Sequence, residues 1–298
     1  EWEDIVAEYA TGWGIRAPAE ILRDLVVDLP HARDRLGLVA TGEEAGAMLR
    51  VVVRLCTLVA QSLSELGDRR TSRRWWRTAT RLADACDMCD APDLHAWVYG
   101  RESIHGLSDR RPVAEHSALA GQAQPIRDVA PQFGPGAAWA LAGHARLLAA
   151  GGQGAAAAEI LGRLRVLTDQ VDGCDDDPLS IFGWSPVRLH HTETVVFTLL
   201  GSVGQAGVAR GKALALYPAN HVRDRAELGL YQALDLVHQH DVPSGAGLAR
   251  RILANLPPAQ RSATVREVGQ RVLDVIPKVD SRRPEVSGLR DLVSPPHP

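Results

Sequence analysis

The chain has 298 residues, 45% of them hydrophobic and 23% charged, with a formal net charge of −3. A chain of that length can bury a sizeable core, and that hydrophobic content excludes a disordered polymer. Near-neutral bulk charge excludes a general electrostatic grip on nucleic acid and leaves only a local patch open.

The N-terminal stretch EWEDIVAEYA is acidic and amphipathic, unlike a signal peptide. Glu1 in place of Met leads us to expect a further segment before it. No apolar run reaches the roughly eighteen residues of a membrane span. Four unevenly spaced cysteines do not form a disulfide framework, so a cytoplasmic protein is expected. Alanine, leucine and arginine dominate, strand signals are nearly absent, and helical periodicity is almost continuous. Helices are predicted over 2–13, 18–36, 43–66, 71–86, 92–106, 112–130, 135–150, 154–171, 186–204, 205–217, 221–240, 244–256 and 259–276. The main interruption is 172–185, and a Pro-rich tail with one short helical piece, SGLRDLV, follows from 278. The expected organisation is an N-terminal helical cap or linker over 1–40, a repeat domain over 41–277 and the tail over 278–298.

Five helical hairpins align on one template. The turn markers are Gly67, Asp109, Gly152, Gly204 and Asp241, and a small residue follows five positions on: Ser72, Ala114, Ala157, Ala209 and Ala246. This is a degenerate tetratricopeptide pattern, stretched beyond the ideal repeat of about 34 residues. A hairpin leaves one apolar face uncovered, and stacking on a neighbour covers it. The expected fold is therefore all-α, a right-handed superhelical stack of hairpins.

Three conspicuous motifs read as ordinary structure. In RRTSRRWWRTATRLADACDMC, residues 69–89, Trp75, Trp76, Ala79, Leu82, Ala83 and Cys86 share one helix face. Arg70, Arg73, Arg74, Arg77 and Arg81 fall on the other. The two types segregate, whereas a single-strand binder would interleave them. Cys86-x-x-Cys89 ends a helix and has no second ligand pair, so no metal site is expected. Asp172, Asp175, Asp176 and Asp177 fall in a loop without a matching motif on a facing helix. A helical metal-dependent enzyme is the remote alternative, and neither catalytic residues nor a cofactor are expected.

The informative surface is the concave one. With the turn marker counted as position 15, template positions 2, 5, 9 and 12 of each first helix face the groove. They give Arg54, Thr57, Gln61 and Ser64; Ala96, Tyr99, Ser103 and Gly106; Trp139, Ala142, Arg146 and Ala149. The last two hairpins add His191, Thr194, Thr198 and Gly201, then Leu228, Tyr231, Asp235 and His238. Aromatic anchors with a few polar groups suit a ligand groove. The segment IFGWSPVRLHHTE adds Trp184, Arg188, His190 and Glu193, with Arg188 and His191 placed to bind an anion or a peptide carboxylate. The bland alternative makes Trp184 a core plug and pairs Arg188 with Glu193 at the surface.

Several blocks together resemble a known family: LGDRRTSRRWWRTATRLADA, HAWVYGRESI, FGWSPVRLHHTETVVFTLLG, ALALYP, RDRAELGLYQALDLV, RRILANLP and VLDVIP. They are similar to the C-terminal tetratricopeptide-like domain of actinobacterial regulators that carry an N-terminal Cro/repressor-type helix-turn-helix. The resemblance implies a regulatory effector domain that binds a peptide, small molecule or protein partner and helps to form a homodimer. DNA would be bound only through a helix-turn-helix that this sequence lacks. The alternative is a protein-interaction or dimerisation scaffold with no small ligand.

Overall fold

The structure, a computed structural model, describes residues 2–39, 42–86, 91–109, 134–171 and 177–294. Among them are thirteen α-helices and no strand. In chain order these are α1 (Trp2–Gly12), α2 (Pro18–Leu38), α3 (Glu43–Leu66), α4 (Arg69–Asp84), α5 (Ala91–Ser108), α6 (Pro135–Ala150) and α7 (Gly154–Gln170). There follow α8 (Pro186–Leu199), α9 (Val203–Leu216), α10 (Val222–His238), α11 (Val242–Asn255), α12 (Ala263–Asp274) and α13 (Pro284–Val293). The helix predicted over 112–130 lies outside the described residues. The one predicted over 259–276 starts with a 3₁₀ turn, Pro258–Gln260, before α12. In the C-terminal stretch, α13 buries Val286, Leu289 and Val293 against α11 and α12.

Four pairs of consecutive helices form hairpins, α3 on α4, α6 on α7, α8 on α9 and α10 on α11, and α5 packs between the first and the second. Their turns are near copies. Each first helix ends in a left-handed residue: Gly67 (φ 87°), Gly152 (φ 72°), Gly201 (φ 71°) or His240 (φ 67°). The next residue caps the second helix, with φ, ψ of −80°, 71° at Asp68, −86°, 64° at Gln153, −85°, 63° at Ser202 and −91°, 70° at Asp241. Its N–H bonds back into the first helix in every case: Asp68 to Leu63, Gln153 to Leu148, Ser202 to Phe197 and Asp241 to Leu236, at 2.8–2.9 Å. This pairing satisfies carbonyls that the helix end would leave open. Asp68 and Asp241 also accept from the N–H three residues on. The residue five after the left-handed one is buried and small: Ser72, Ala157, Ala206 and Gly245. At Gly245 an added Cβ would sit 2.6 Å from Val237 Cγ2 and 2.7 Å from the Ala233 carbonyl oxygen.

The turn dihedrals correct two of the sequence markers. Where the sequence marks Gly204 the left-handed residue is Gly201, three earlier, and where it marks Asp241 it is His240, one earlier. Gly204 sits inside α9 and has open space beside it. The shift matters below, because it re-aims two helices.

Helix α3 forms the centre, packed by α1, α2, α4, α5 and α12. It is long and apolar enough to cross a membrane despite Arg50 and Arg54, and 72% of its most apolar window is buried inside the fold. In α4 the two faces segregate as the periodicity predicts. Trp76, Ala79 and Ala83 are buried, while Arg70, Arg73, Arg74, Arg77 and Arg81 are exposed. Cys86 is a buried free thiol. Cys89 and residues 172–176 lie outside the described residues.

The last helices fold back over the first. Helix α12 packs on α3, α5 and α10. Thr264 Oγ1 donates to Glu65 Oε1 (3.1 Å), and Arg271 Nη2 donates to the Leu107 carbonyl (3.0 Å). From the other side the α1–α2 corner meets α10, where Arg223 donates to the carbonyls of Trp13 and Arg16.

Candidate ligand-binding cavity

Helices α3, α5, α6, α8 and α10 surround one central cavity of about 80 Å³. Its lining is rich in charged side chains. Arg101 comes from α5, Arg146 from α6, Arg188 and His191 from α8, and Arg223, Asp224 and Glu227 from α10. Glu65 and His105 add to the wall, and Trp13, Gly14, Ser262, Thr264 and Val265 close it.

Glycine packing builds this wall. Helices α5 and α6 make the most intimate contact in the molecule. A Cβ on Gly100 would lie 2.3 Å from the Trp139 carbonyl carbon, and one on Gly136 would lie 1.9 Å from the Asp93 carbonyl oxygen. Asp93 caps α6 from α5, accepting from the N–H groups of Gly136 and Ala137 at 3.0 Å each. So close an approach lays the Arg101 guanidinium over the Trp139 ring, 4.4 Å from its centroid. Arg188 approaches the same ring at 5.6 Å. The indole N–H of Trp139 donates to the Gly183 carbonyl (2.9 Å), and its edge meets Trp184 at 5.1 Å. Trp139 is thus fixed at its edge, and two guanidiniums lie within cation–π range of its ring.

The remaining bonds show which charges are satisfied. Arg188 donates to the Leu179 carbonyl (2.7 Å) and Tyr217 Oη (3.2 Å) and lies 3.5 Å from Asp224. His191 Nδ1 shares a hydrogen bond with Tyr217 Oη (3.0 Å), and its Nε2 lies 3.5 Å from Glu227. Arg101 is held by Gln61, whose Oε1 accepts from Nε at 2.8 Å and from Nη2 at 2.5 Å. Arg146 makes one hydrogen bond, from Nη2 to Thr192 Oγ1 (3.1 Å).

Titration follows from these surroundings. Burial, then the like charges of Arg188 and Arg146, push the Arg101 guanidinium down to about 9, so it still carries its proton at neutral pH. Burial raises the Glu65 carboxyl above the ordinary carboxylate range, against the pull of Arg223. Burial also works against the charge of Asp224, but His221, Arg188 and His191 outweigh it and hold that carboxyl low. Glu227 is lowered in the same way by His191 and Arg146.

The expected groove residues fall into three groups. Trp139, Arg146, Arg188 and His191 line the cavity, and Gln61 stands behind Arg101. Thr57, Ser103, Thr194 and Thr198 are buried; Thr57 Oγ1 donates to the Val53 carbonyl and Thr194 Oγ1 to that of His190. Tyr99 and Tyr231 belong to hydrophobic clusters, and Trp184 is a core plug whose indole N–H donates to Thr168 Oγ1 (2.8 Å). Arg54 lies over Phe182 at 4.6 Å, Asp235 pairs with Arg210 at 2.7 Å, and His238 is exposed. Glu193 turns away from Arg188 and pairs instead with Arg165 and His190.

The corrected turn register explains the difference. Counting from Gly201, positions 2 and 5 of α8 are Arg188 and His191; counting from His240, position 2 of α10 is Glu227. All three line the cavity. The register missed Arg101 and His105, which lie two positions after the expected Tyr99 and Ser103. Arg223 and Asp224 lie outside the four template positions altogether. Among the described residues, no group of three or more His, Cys, Asp and Glu side chains could hold a metal ion. No family model matches the chain, and neither a curated protein nor a solved structure matches it.

Proposed function

We propose that the chain is a non-enzymatic effector domain of a transcription regulator, built as a degenerate tetratricopeptide stack and binding a small effector in its central cavity. The observation that carries this reading is convergence. Polar side chains from five helices far apart in sequence meet at one cavity, and a merely structural core would fill such a space with apolar side chains. The four superposable turns support the repeat architecture. A ligand that favours one arrangement of the hairpins over another would shift their equilibrium, which is how a stack of this kind reports binding.

Native mass spectrometry of the purified chain tests for a co-purified compound. That compound, re-added to stripped protein, is then titrated against wild type and Arg188→Ala/His191→Ala by calorimetry. Unchanged affinity in the double variant would place the ligand elsewhere. A second reading, a dimerisation scaffold without a ligand, draws on Val26 and Val27, which stand 62% and 58% exposed on α2. Sedimentation of wild type against Val26→Lys/Val27→Lys separates the two. A dimer lost in the variant, together with no bound compound, would favour the scaffold.

A further inference from the structure

From the unmatched positive charge in the cavity, we infer that its ligand is a compact oxyanion, carboxylate or phosphate in chemistry, seated between Arg101 and Arg146. This deepens the effector reading and rests on it.

Among the described residues, neither Arg101 nor Arg146 has a carboxylate within 4.0 Å. Both are buried, at 7% exposure each. A buried cation without a partner costs several kcal/mol, and proteins rarely retain one that nothing uses. The surrounding charges do not cancel it. Four arginines, Arg101, Arg146, Arg188 and Arg223, line the space against Asp224 and Glu227, while Glu65 is driven toward its neutral form by burial. Positive charge is left in excess, and Arg101 and Arg146 are the two held without a close carboxylate in the lining.

The free donors also point to an acceptor-only ligand. Nε of Arg146, Nε of Arg188 and Nε2 of Gln61 are buried without hydrogen-bond partners, and all three carry N–H groups. Arg146 and Arg188 line the cavity, and Gln61 holds Arg101 to it. An oxyanion accepts from several such donors at once and forms strong charge-assisted bonds with guanidinium groups. Trp139 adds order, because its ring holds both Arg101 and Arg188.

Size narrows the class further. At about 10–15 Å³ for a single water on this measure, a cavity of about 80 Å³ takes on the order of five to eight such spheres. That is room for inorganic phosphate or a short carboxylic acid.

The test is thermal denaturation and calorimetry on the whole chain with sodium phosphate, sulfate, acetate and succinate, and with glycerol as the uncharged control. The protein is wild type, Arg101→Met, Arg146→Met and Arg146→Lys. Wild type should melt higher with at least one oxyanion and be indifferent to glycerol at matched ionic strength. The phosphate and carboxylate arms identify which oxyanion fits. In anion-free buffer Arg146→Met should melt at or above the wild-type temperature, because it removes a buried charge without a carboxylate partner and keeps the apolar stem, while Arg101→Met, which also strips Gln61 Oε1 of two donors, should melt lower. The same variants should bind the oxyanion about tenfold more weakly or worse. Arg146→Lys, which keeps the charge, should recover part of the loss. Arg146→Met melting far below wild type without anion would show that this arginine is already neutralised inside the fold, and that would overturn the proposal. So would equal anion shifts in wild type and both methionine variants. An uncharged co-purified compound that needs Arg188 and His191, with no oxyanion effect, would sink the ligand class and leave the effector reading standing. Absence of both would sink both.

Discussion

Replacing Gly100 with alanine tests the close approach of α5 and α6 on which the cavity depends. The new Cβ would lie 2.3 Å from the Trp139 carbonyl carbon, 2.4 Å from its oxygen and 2.6 Å from the Ala140 nitrogen. Ordinary contact begins near 3.4 Å, and all three atoms are backbone, so no rotamer change relieves the clash. Helix α6 must retreat by about 1 Å across a packed interior, and overpacking of this kind costs about 1–3 kcal/mol, here toward the upper end. Alanine returns about 1 kcal/mol of helix propensity, leaving a net loss of about 2 kcal/mol. At roughly 2 °C per kcal/mol for a domain of this size, the melting temperature should fall by about 4 °C or more. The retreat also draws Trp139 away from Arg101, so the tryptophan emission should change in the folded state. Gly211→Ala is the matched control. Gly211 lies inside α9 with nothing within 4 Å of an added Cβ. There the propensity term acts alone, and stability should rise by about 0.5–1 kcal/mol. Urea denaturation followed by circular dichroism measures both. If Gly100→Ala proves neutral, or stabilises as Gly211→Ala should, the helices do not need this approach and the account of the cavity wall fails.

Three further perturbations probe separate parts of the argument. His240 occupies a left-handed turn position that glycine holds in the other three hairpins, so His240→Gly should stabilise by about 0.5–1 kcal/mol in the same urea assay. Asp235→Ala removes the partner of Arg210, whose side chain is 12% exposed, and should cost about 3 kcal/mol by leaving that charge buried and unpaired. Melting temperatures of Asp235→Ala and Asp235→Ala/Arg210→Met check this, since the second variant should recover part of the loss. Glu65→Gln tests the raised carboxyl. It is faced by Thr264, Ser262, Arg223, Glu227 and Arg266 and lies 3.9 Å from His105. An acid raised by folding contributes its full stability below the ordinary carboxylate range and loses it as pH rises through its folded value. The variant should therefore gain on wild type between pH 4 and pH 8 in paired melting curves, and a constant difference would contradict the assignment.

The sequence carried the helices well and their rotation poorly. Helix interiors repeat every 3.6 residues, so α3, α4, α6 and α10 were visible from their apolar stripes alone. Rotation about the axis depends on where each turn begins, and composition marks turns only loosely. Gly67 and Gly152 were legible because glycine is the residue that a left-handed position favours. Gly201 lies three residues before Gly204, and both are plausible turn glycines in one-letter code. His240 carries no turn signal at all. A histidine there pays no visible tribute to its φ of 67°, and only the backbone reveals it. A three-residue error on α8 moved the predicted face from Arg188 and His191 to His191 and Thr194, about a sixth of the helix circumference. The ionic part of the cavity was less legible still, because Glu65, Asp224 and Arg101 become neighbours only when α3, α5 and α10 close on one another.

That closure changes what the inner wall can be. In an open array, polar residues on the inner helices would meet water, and each charge would be screened cheaply. Here α12 packs on α3 and α5, and the α1–α2 corner is tied to α10 through Arg223. The same arginines that would be ordinary on a solvated face are thereby placed where each charge must find a partner. Asp224 and Glu227 supply partners on one side. Arg101 and Arg146 line the same space with no carboxylate in ion-pair contact among the described residues. Filling that space with apolar side chains would relieve the strain on folding, and the sequence instead places two cations, an indole and a glutamine there. The cost of holding those charges is borne by the fold, and it is recovered only when something negative enters.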